Sequence, residues 1–265
     1  MPLPEPSTWP SRSLKAGLMA ALLLVPSVLR AQEVQIADPI EPVNRGIFAF
    51  NTYLDGLVLR PASKAYDFVV PDVGKQGVRN VLDYLHTPVV LVNDLLQGDT
   101  DAAGNTLGRF MINTILGLGI FDVASEAGFK KHDADFGQTL GRWGAGNGIY
   151  LVLPAFGPST LRDAGGRAVD SLVIDPIGTP FYPPGSELPW WVKLSRTATD
   201  AIDTRFRYGD TLEDLYNNSL DPYATFKTIY LQRRAAIVRG EQADATQQKS
   251  YDAIFQDDGA DNGAK

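Results

Sequence analysis

The residues best suited to chemistry lie in a glycine-rich stretch, residues 136–163, where hydroxyl and charged side chains stand between the glycines. A dinucleotide-binding loop places glycine at its first, third and sixth positions. Gly144 and Gly146 fill the first two, but Ile149 occupies the sixth. A nucleophile elbow around Ser159 requires a glycine two residues later, where the sequence has leucine. Neither pattern is complete, so the stretch predicts no catalytic residue.

Metal binding and acid-base catalysis are poorly supported as well. His132, Asp133 and Asp135 cluster, but no second His lies nearby, and a solvated loop is the favoured interpretation. His86, beside a Thr-Pro pair, is interpreted as a helix-end residue. The sequence has two His and no Cys, which excludes disulfides and Cys-ligated zinc or iron-sulfur sites. We therefore expect no metal, no cofactor and no enzymatic activity.

Composition narrows the class of protein further. The chain has 265 residues, 44% of them hydrophobic, with 24 Lys and Arg against 31 Asp and Glu. That length allows one large domain or two small ones. The net charge of −7 and the pI near 4.9 argue against a nucleic-acid partner, which is itself a polyanion.

The N-terminus has the pattern of an export signal. Arg12 and Lys15 precede an uncharged run, Ala16–Leu29, and Ala31 offers a small residue for cleavage. The run is too short for a comfortable membrane span. After Gly240 the composition turns to Gln, Asp, Ala and Gly. The sequence thus predicts a signal peptide over residues 1–31, a helical domain over 32–240 and a flexible acidic tail over 241–265.

Apolar residues at spacings of three and four predict helices along the middle of the chain. One is expected over Val43–Leu59, ending before Pro61. Two more are expected over Val73–Leu85 and Val89–Leu96, because Pro88 lies between them.

A further helix is expected to begin at Asp221-Pro222, with an Asp cap and a Pro in its first turn. No alternating strand series and no fixed repeat is present, so the expected fold class is mostly α.

The segment Leu107–Phe121 bears most directly on whether the protein lies in water or in a membrane. Between Arg109 and Asp122 lie 12 uncharged residues, which as a helix would cover about 18 Å against a bilayer core of about 30 Å. Such a helix is either central to a soluble core or embedded in one leaflet. The short apolar run Ile149–Leu153 and the aromatic pair Trp190-Trp191 favour the membrane.

Six dispersed blocks, taken in order, resemble the MlaA/VacJ family of outer-membrane proteins. The resemblance covers about residues 38–240. The blocks are Asp38-Pro39-Ile40-Glu41-Pro42-Val43-Asn44-Arg45, Val92-Asn93-Asp94-Leu95-Leu96-Gln97-Gly98, Arg109-Phe110 with Asn113-Thr114-Ile115-Leu116-Gly117, Phe136-Gly137-Gln138-Thr139-Leu140-Gly141, Leu153-Pro154 with Gly157-Pro158-Ser159-Thr160-Leu161-Arg162-Asp163, and Asp221-Pro222-Tyr223 with Tyr230-Leu231-Gln232-Arg233-Arg234.

The resemblance implies a single ring-like domain of amphipathic helices in the inner leaflet of the outer membrane, with a central channel. It implies removal of phospholipids that have strayed into the outer leaflet and their transfer to a periplasmic MlaC-like carrier, which maintains lipid asymmetry. A trimeric porin is the implied membrane partner. A glycine-rich hairpin over residues 136–150 would border the channel. Its expected lining residues are Phe136, Leu140, Gly141, Gly144, Gly146, Gly148 and Tyr150.

The same resemblance makes residues 107–121 membrane-facing. The residues expected to embed are Phe48, Phe50, Phe110, Ile115, Leu116, Leu118, Ile120 and Phe121. Arg109 is a candidate contact for a lipid phosphate, although it could equally pair with an Asp. The alternative function is a soluble periplasmic lipid carrier. Many family members carry a Cys just after the signal, but this sequence has none, so retention by embedded helices is expected here.

Overall fold

The computed structural model describes residues 36–175 and 189–240. The predicted signal peptide and acidic tail lie outside these residues. Most of the described chain is helical, as expected, with one two-stranded antiparallel sheet. The helices are α1 (Glu41–Leu54), α2 (Arg60–Val69), α3 (Asp72–Leu96), α4 (Thr100–Ile115), α5 (Val123–Glu126), α6 (Phe136–Arg142), α7 (Leu161–Val169), α8 (Trp190–Arg207), α9 (Gly209–Asn218) and α10 (Pro222–Val238), and the strands are β1 (Tyr150–Leu153) and β2 (Gly157–Thr160).

Several helices begin where a short polar side chain satisfies a free backbone N–H. Asp221 accepts from the N–H of Ala224 at 3.2 Å, which confirms the predicted start of α10. Asp99 does the same for α4 through Ala102. The other capping side chains are Asp122 for α5, Asp135 for α6 and Thr160 for α7.

Two prolines do not end helices as predicted. The chain continues from the end of α1 at Leu54 through a π-helical turn, Asp55–Leu59, directly into α2, and Pro61 lies in the first turn of α2. A proline there has no N–H bond to lose, since the wider turn already interrupts the ladder. Pro88 lies inside the 25-residue α3, which packs along α4 through the stacked rings of Tyr84 and Phe110. The packing of α3 on α4 therefore stabilises the helix by more than it loses with the hydrogen bond that Pro88 cannot donate.

The apolar segment Leu107–Phe121 is helical only to Ile115, contrary to the expectation of one helix. Leu118 and Gly119 have φ values of 52° and 71°, which right-handed helices do not use. Gly117 allows the chain to fold back, because a Cβ there would lie 2.1 Å from the Phe121 carbonyl oxygen. The residues that follow α4 therefore form a compact turn.

The glycine-rich stretch also differs from its prediction. Residues 136–142 form α6, and the antiparallel hairpin comes later, where β1 pairs with β2 in the register Tyr150 to Thr160. The open edge of β1 is covered by α1. The Asn44 amide donates to the Tyr150 carbonyl at 3.1 Å and accepts from the Val152 N–H at 2.9 Å. Asn51 pairs with the end of the strand in the same way.

The buried apolar cluster lies between this hairpin, α1 and α10. Its members are Tyr150, Val152, Tyr223 and Leu231. The run Ile149–Leu153, which favoured a membrane surface in the sequence, thus contributes its alternate side chains to the core. Phe48 packs there too, with ring centroids 5.7 Å from Tyr223 and 5.6 Å from Phe226.

Candidate membrane surface and lipid cavity

The distribution of polarity in the described residues is the reverse of that in most water-soluble domains. Fourteen polar or charged side chains are buried, against nine hydrophobic ones, while 29 large hydrophobic side chains are exposed. Isolated exposed apolar residues are ordinary, but many on one molecule indicate a surface that meets something other than water.

The turn that follows α4 is the most exposed part of the predicted embedding segment. Ile115 and Leu116 are each 65% exposed and Leu118 is 75% exposed. Ile120 and Phe121 are exposed as well, as is Phe50 on α1. The segment is therefore not the central helix of a sealed core, which was the alternative left open by the sequence. No helix in the described residues is long and apolar enough to cross a membrane.

Two residues of the predicted embedding set are placed differently. Phe48 is half-buried and contacts the rings of Tyr216, Tyr223 and Phe226, so it stabilises the fold instead of facing lipid. Phe110 is also half-buried, with its ring 5.2 Å from that of Tyr84. Helical spacing alone does not distinguish these rings from exposed neighbours, because both faces of these helices carry apolar residues.

An open cavity of about 780 Å³ lies between α3, α8, α5 and the turn after α4. That volume is in the range of small-molecule sites, about 300–1,000 Å³. Its apolar wall includes Val73, Val78, Val81, Leu85, Phe121 and Val192. Gln76, Asn80, Ser195 and Arg196 add polar groups. A cavity lined by both kinds of residue suits an amphipathic ligand.

A buried carboxylate fixes the relative positions of the cavity helices. Asp203 on α8 is fully buried and accepts from the Tyr66 hydroxyl at 3.2 Å and from Arg79 Nε at 3.3 Å. Its second oxygen lies 2.9 Å from Arg207 Nε. Burial raises the pKa of Tyr66, so its hydroxyl remains a donor. The carboxylate thus ties α8 to α2 and α3.

Further charged groups lie along α8. Arg196 Nη1 lies 2.5 Å from Asp175 Oδ2. Asp200 is exposed, yet the surrounding protein raises its pKa, while the neighbouring charges of Arg207, His86 and Arg196 lower it. His86 lies within α3 and borders a small cavity next to His132, so it is not the helix-end residue that its sequence context predicted.

Arg109 is engaged with protein groups, because it pairs with an Asp, the second of the two alternatives that the sequence left open. Its Nη2 donates to both oxygens of Asp122 at 2.9 Å, and Nη1 donates to Ser125 and to the Phe129 carbonyl. The side chain is 12% exposed. Hydrogen bonds from Ser125, Asn113 and Arg109 hold the pKa of Asp122 at about 2, against the opposing effect of burial. The pair anchors the turn after α4.

The predicted hairpin residues divide into a packed group and an open group. A Cβ on Gly137 would lie 2.8 Å from Asp163 Oδ1, and one on Gly141 would lie 2.9 Å from Val238, so this part of α6 is fixed. A Cβ added at Gly144 or Gly146 would meet no other atom within 4 Å. Phe136 packs on the exposed Trp143, Leu140 is half-buried, and Tyr150 is fully buried. Gly148, at φ 68°, closes the loop against Leu161.

A charge network that the sequence did not predict holds this packed group. Arg234 on α10 binds Asp135 through two hydrogen bonds, at 2.7 and 3.0 Å, and binds both oxygens of Asp163. The Tyr230 hydroxyl also donates to Asp163 at 2.6 Å. Arg234 lowers the pKa of both carboxyls against the effect of burial. The available signal in the sequence was that Arg234 carries the opposite charge to Asp135 and Asp163.

The side chain of His132 is only 8% exposed, so it does not lie in a solvated loop as predicted. Its Nε2 is 3.0 Å from each oxygen of Asp94, which is buried. Asp94 lies in α3, 38 residues earlier, and nothing in the local sequence indicates this partner. Asp133 is exposed, as expected for the loop.

Comparison with known proteins gives a consistent family. A family model described as MlaA lipoprotein matches residues 36–237. The intermembrane phospholipid transport system lipoprotein MlaA of Escherichia coli K12 is 37% identical over 227 residues, which cover 84% of this chain and 86% of that protein. The protein of the same name from Haemophilus influenzae is 31% identical over 233 residues, covering 84% and 88%.

A solved structure gives the same result for the fold. A chain described under the words "Structural basis for maintenance of bacterial outer membrane lipid asymmetry" superposes with a TM-score of 0.66 at 35% identity. The match covers 76% of this chain and 99% of that one.

Proposed function

Since this chain belongs to the MlaA family, we propose that it removes mislocalised phospholipids from the outer leaflet of the outer membrane and delivers them to a periplasmic carrier, so maintaining lipid asymmetry. One observation supports this most directly: an open cavity, lined by both apolar and polar side chains, borders the same exposed apolar turn that would lie in the inner leaflet. Ile120 and Phe121 belong to both features.

The physical problem in this function is the charged headgroup. Moving an unsatisfied polar group into hydrocarbon costs several kcal/mol, about 2–7 for a neutral group and more for an ion. A passage with polar groups on one side lowers that cost, while the acyl chains remain against an apolar wall. Arg196, Asn80 and Gln76 are among the polar residues that line the cavity. The transfer needs no covalent step.

Attachment to the inner leaflet is part of the proposal. The 16-residue α4 is about 24 Å long at 1.5 Å per residue, shorter than a bilayer core of about 30 Å. Its apolar end and the turn that follows can therefore enter one leaflet only. This sequence contains no Cys, and we assign retention to exposed side chains such as Leu116 and Leu118. The alternative, a soluble carrier, would enclose its apolar surface around the lipid.

The proposed partners follow from the family resemblance. They are a trimeric porin in the membrane, a soluble carrier in the periplasm and the phospholipid itself. The loop containing Gly144 and Gly146 is proposed to border the passage, because both positions have open space around them.

Deletion of the encoding gene from its host tests the function. Phospholipid exposed on the cell surface should rise after deletion and return to the wild-type level when the gene is restored. Unchanged exposure would contradict the proposal. Washing isolated membranes with high salt separates the two modes of action, because an embedded protein stays with the membrane and a soluble carrier is released.

A further inference from the structure

A buried contact joins the loop before α6 to the middle of the chain. His132 is 8% exposed and its partner Asp94 is 2% exposed. A carboxylate accepts hydrogen bonds only, so the proton on Nε2 is donated to Asp94 at 3.0 Å. The Thr106 hydroxyl on α4 donates to the same carboxylate at 2.6 Å. The contact therefore holds the loop, α3 and α4 together.

The loop, residues 129–135, is held from the α3–α4 side along most of its length. The Asn105 amide donates to the Lys130 carbonyl at 2.6 Å. Lys131 lies 2.5 Å from Asp83. The loop then leads directly into α6 through its cap, Asp135. A movement of the loop would therefore also move the start of α6 and the part of the glycine-rich stretch that follows it.

The imidazole can exchange its second proton with solvent. Its Nδ1 lies 3.5 Å from the Asn105 amide nitrogen, which is too long for a strong hydrogen bond. A small polar cavity of about 40 Å³ borders the ring, and about 10–15 Å³ is enough for one water. Proton gain or loss at Nδ1 therefore requires no unfolding.

We propose that the Asp94–His132 contact is a proton-operated clasp, which holds the 129–135 loop on α3 and α4 when the imidazole is protonated and loosens when it is not. The neutral ring still donates through Nε2, but the ion pair across the same distance is lost. The clasp is a property of the protein itself and does not depend on the proposed transport function.

The charges around the ring favour the protonated form. The hydrogen bond with Asp94 is the largest effect that raises the pKa of His132, and the charges of Asp94, Asp133 and Asp99 add to it, while burial opposes them. The other titratable or charged groups that border the cavity are Asp83, Tyr84, His86, Arg109, Asp122 and Lys131. Of these, Lys131 pairs with Asp83, and Arg109 with Asp122.

The sign of the effect follows from linkage. A His whose folded-state pKa is raised stabilises the docked loop fully below its ordinary pKa of about 6.5, and this stabilisation is lost as the pH rises through the raised value. The loop should therefore open more easily in alkaline conditions. Each unit by which the pKa is raised corresponds to an about tenfold change in the opening equilibrium.

The test uses the full-length protein in detergent micelles and the fact that the chain has two His. In the His86→Gln variant without an affinity tag, His132 gives the one imidazole signal, whose pKa is measured by NMR. Hydrogen exchange of residues 129–135, corrected for the intrinsic rate, is measured over the same pH range in the wild type, His86→Gln and His132→Gln. Glutamine at position 132 keeps a donor for Asp94 but cannot be protonated.

Two results support the clasp together: a pKa of His132 above about 6.5, and exchange protection of the loop that falls with rising pH in the wild type and His86→Gln but not in His132→Gln. An imidazole that titrates at or below its ordinary value overturns the clasp, even if His132→Gln fails to fold. Equal pH dependence of protection in all three proteins overturns it as well. Neither result involves lipid transport, so the proposed function would stand.

Discussion

Gly166 on α7 lies against the backbone of Gly137 on α6, so closely that a Cβ on Gly166 would be 2.2 Å from the Gly137 nitrogen and 2.5 Å from its Cα. Carbon and nitrogen atoms that are not bonded to each other do not come this close. The two helices therefore cross with no side chain between them, and the crossing positions Asp135 and Asp163 for the shared ion pair with Arg234.

Adding a side chain on the face of α7 that meets α6 should strongly destabilise the fold, whereas adding one at the neighbouring open position should not. We expect Gly166→Ala to lower the free energy of unfolding by about 3 kcal/mol, because backbone cannot move aside as a side chain can. The matched control is Gly165→Ala, one residue earlier in α7, where nothing lies within 4 Å. That change should be neutral or stabilise the helix by up to about 1 kcal/mol. Chemical denaturation in micelles measures both, and equal effects would contradict the close crossing.

The asparagines that cover the edge of β1 provide a second test. Asn44→Ala leaves the buried Tyr150 carbonyl and Val152 N–H without their partner. We expect a loss of about 3 kcal/mol in the free energy of unfolding, since each unsatisfied buried group costs about 1–3 kcal/mol. Asn217→Ala, at an exposed position near the end of α9, is the control and should change stability by less than about 0.5 kcal/mol.

Local signals predicted part of this structure well. The Asp cap and adjacent proline located the start of α10, because both act on backbone groups within one helical turn. The prediction that Pro61 and Pro88 end helices was wrong, because it depended on packing that is not local. Whether a proline ends a helix depends on the packing around it, and the contact between α3 and α4 is invisible to a short window of sequence.

The site shows the same division between local and distant information. Composition required the 12 uncharged residues to be buried in protein or in lipid, but it predicted neither the end of the helix at Ile115 nor the turn that follows. The partners of Arg109 and His132 could not be assigned, because the sequence offers several Asp and Glu residues that could pair with each of them. His132 finds Asp94 at a separation of 38 residues, and Asn44 finds Tyr150 at a separation of 106.

The Arg109–Asp122 pair predicts an acid-labile anchor. A lowered pKa stabilises the folded state above the ordinary value, and the stabilisation is lost as the pH falls from about 4 toward about 2. Asp122→Asn should therefore lower the free energy of unfolding by about 2 kcal/mol at pH 7, and the difference from the wild type should vanish near pH 2. Asp214→Asn, an exposed carboxylate on α9, is the control. A constant difference across this pH range would contradict the anchor.

Membrane attachment should respond to charge on the turn after α4. Leu116→Asp combined with Leu118→Asp is expected to reduce flotation with phospholipid vesicles, because a charge near hydrocarbon costs about 2–3 kcal/mol or more. Both side chains are mostly exposed, so far-UV circular dichroism in micelles should be unchanged. Asn217→Asp combined with Asn218→Asp adds the same charge at exposed polar positions and should float as the wild type does. Equal flotation of both variants would remove this turn from the membrane surface.

The cavity offers the sharpest test of passage, because one helix carries both the test position and its control. Val78 on α3 lines the cavity, whereas Val92 on the same helix does not line it and is exposed. We expect Val78→Trp to fill part of the cavity and to raise surface-exposed phospholipid toward the level of the gene deletion. Val92→Trp should leave exposure at the wild-type level. Comparable amounts of both variants in membranes make the comparison valid, and normal lipid asymmetry in cells with Val78→Trp would show that lipids pass elsewhere.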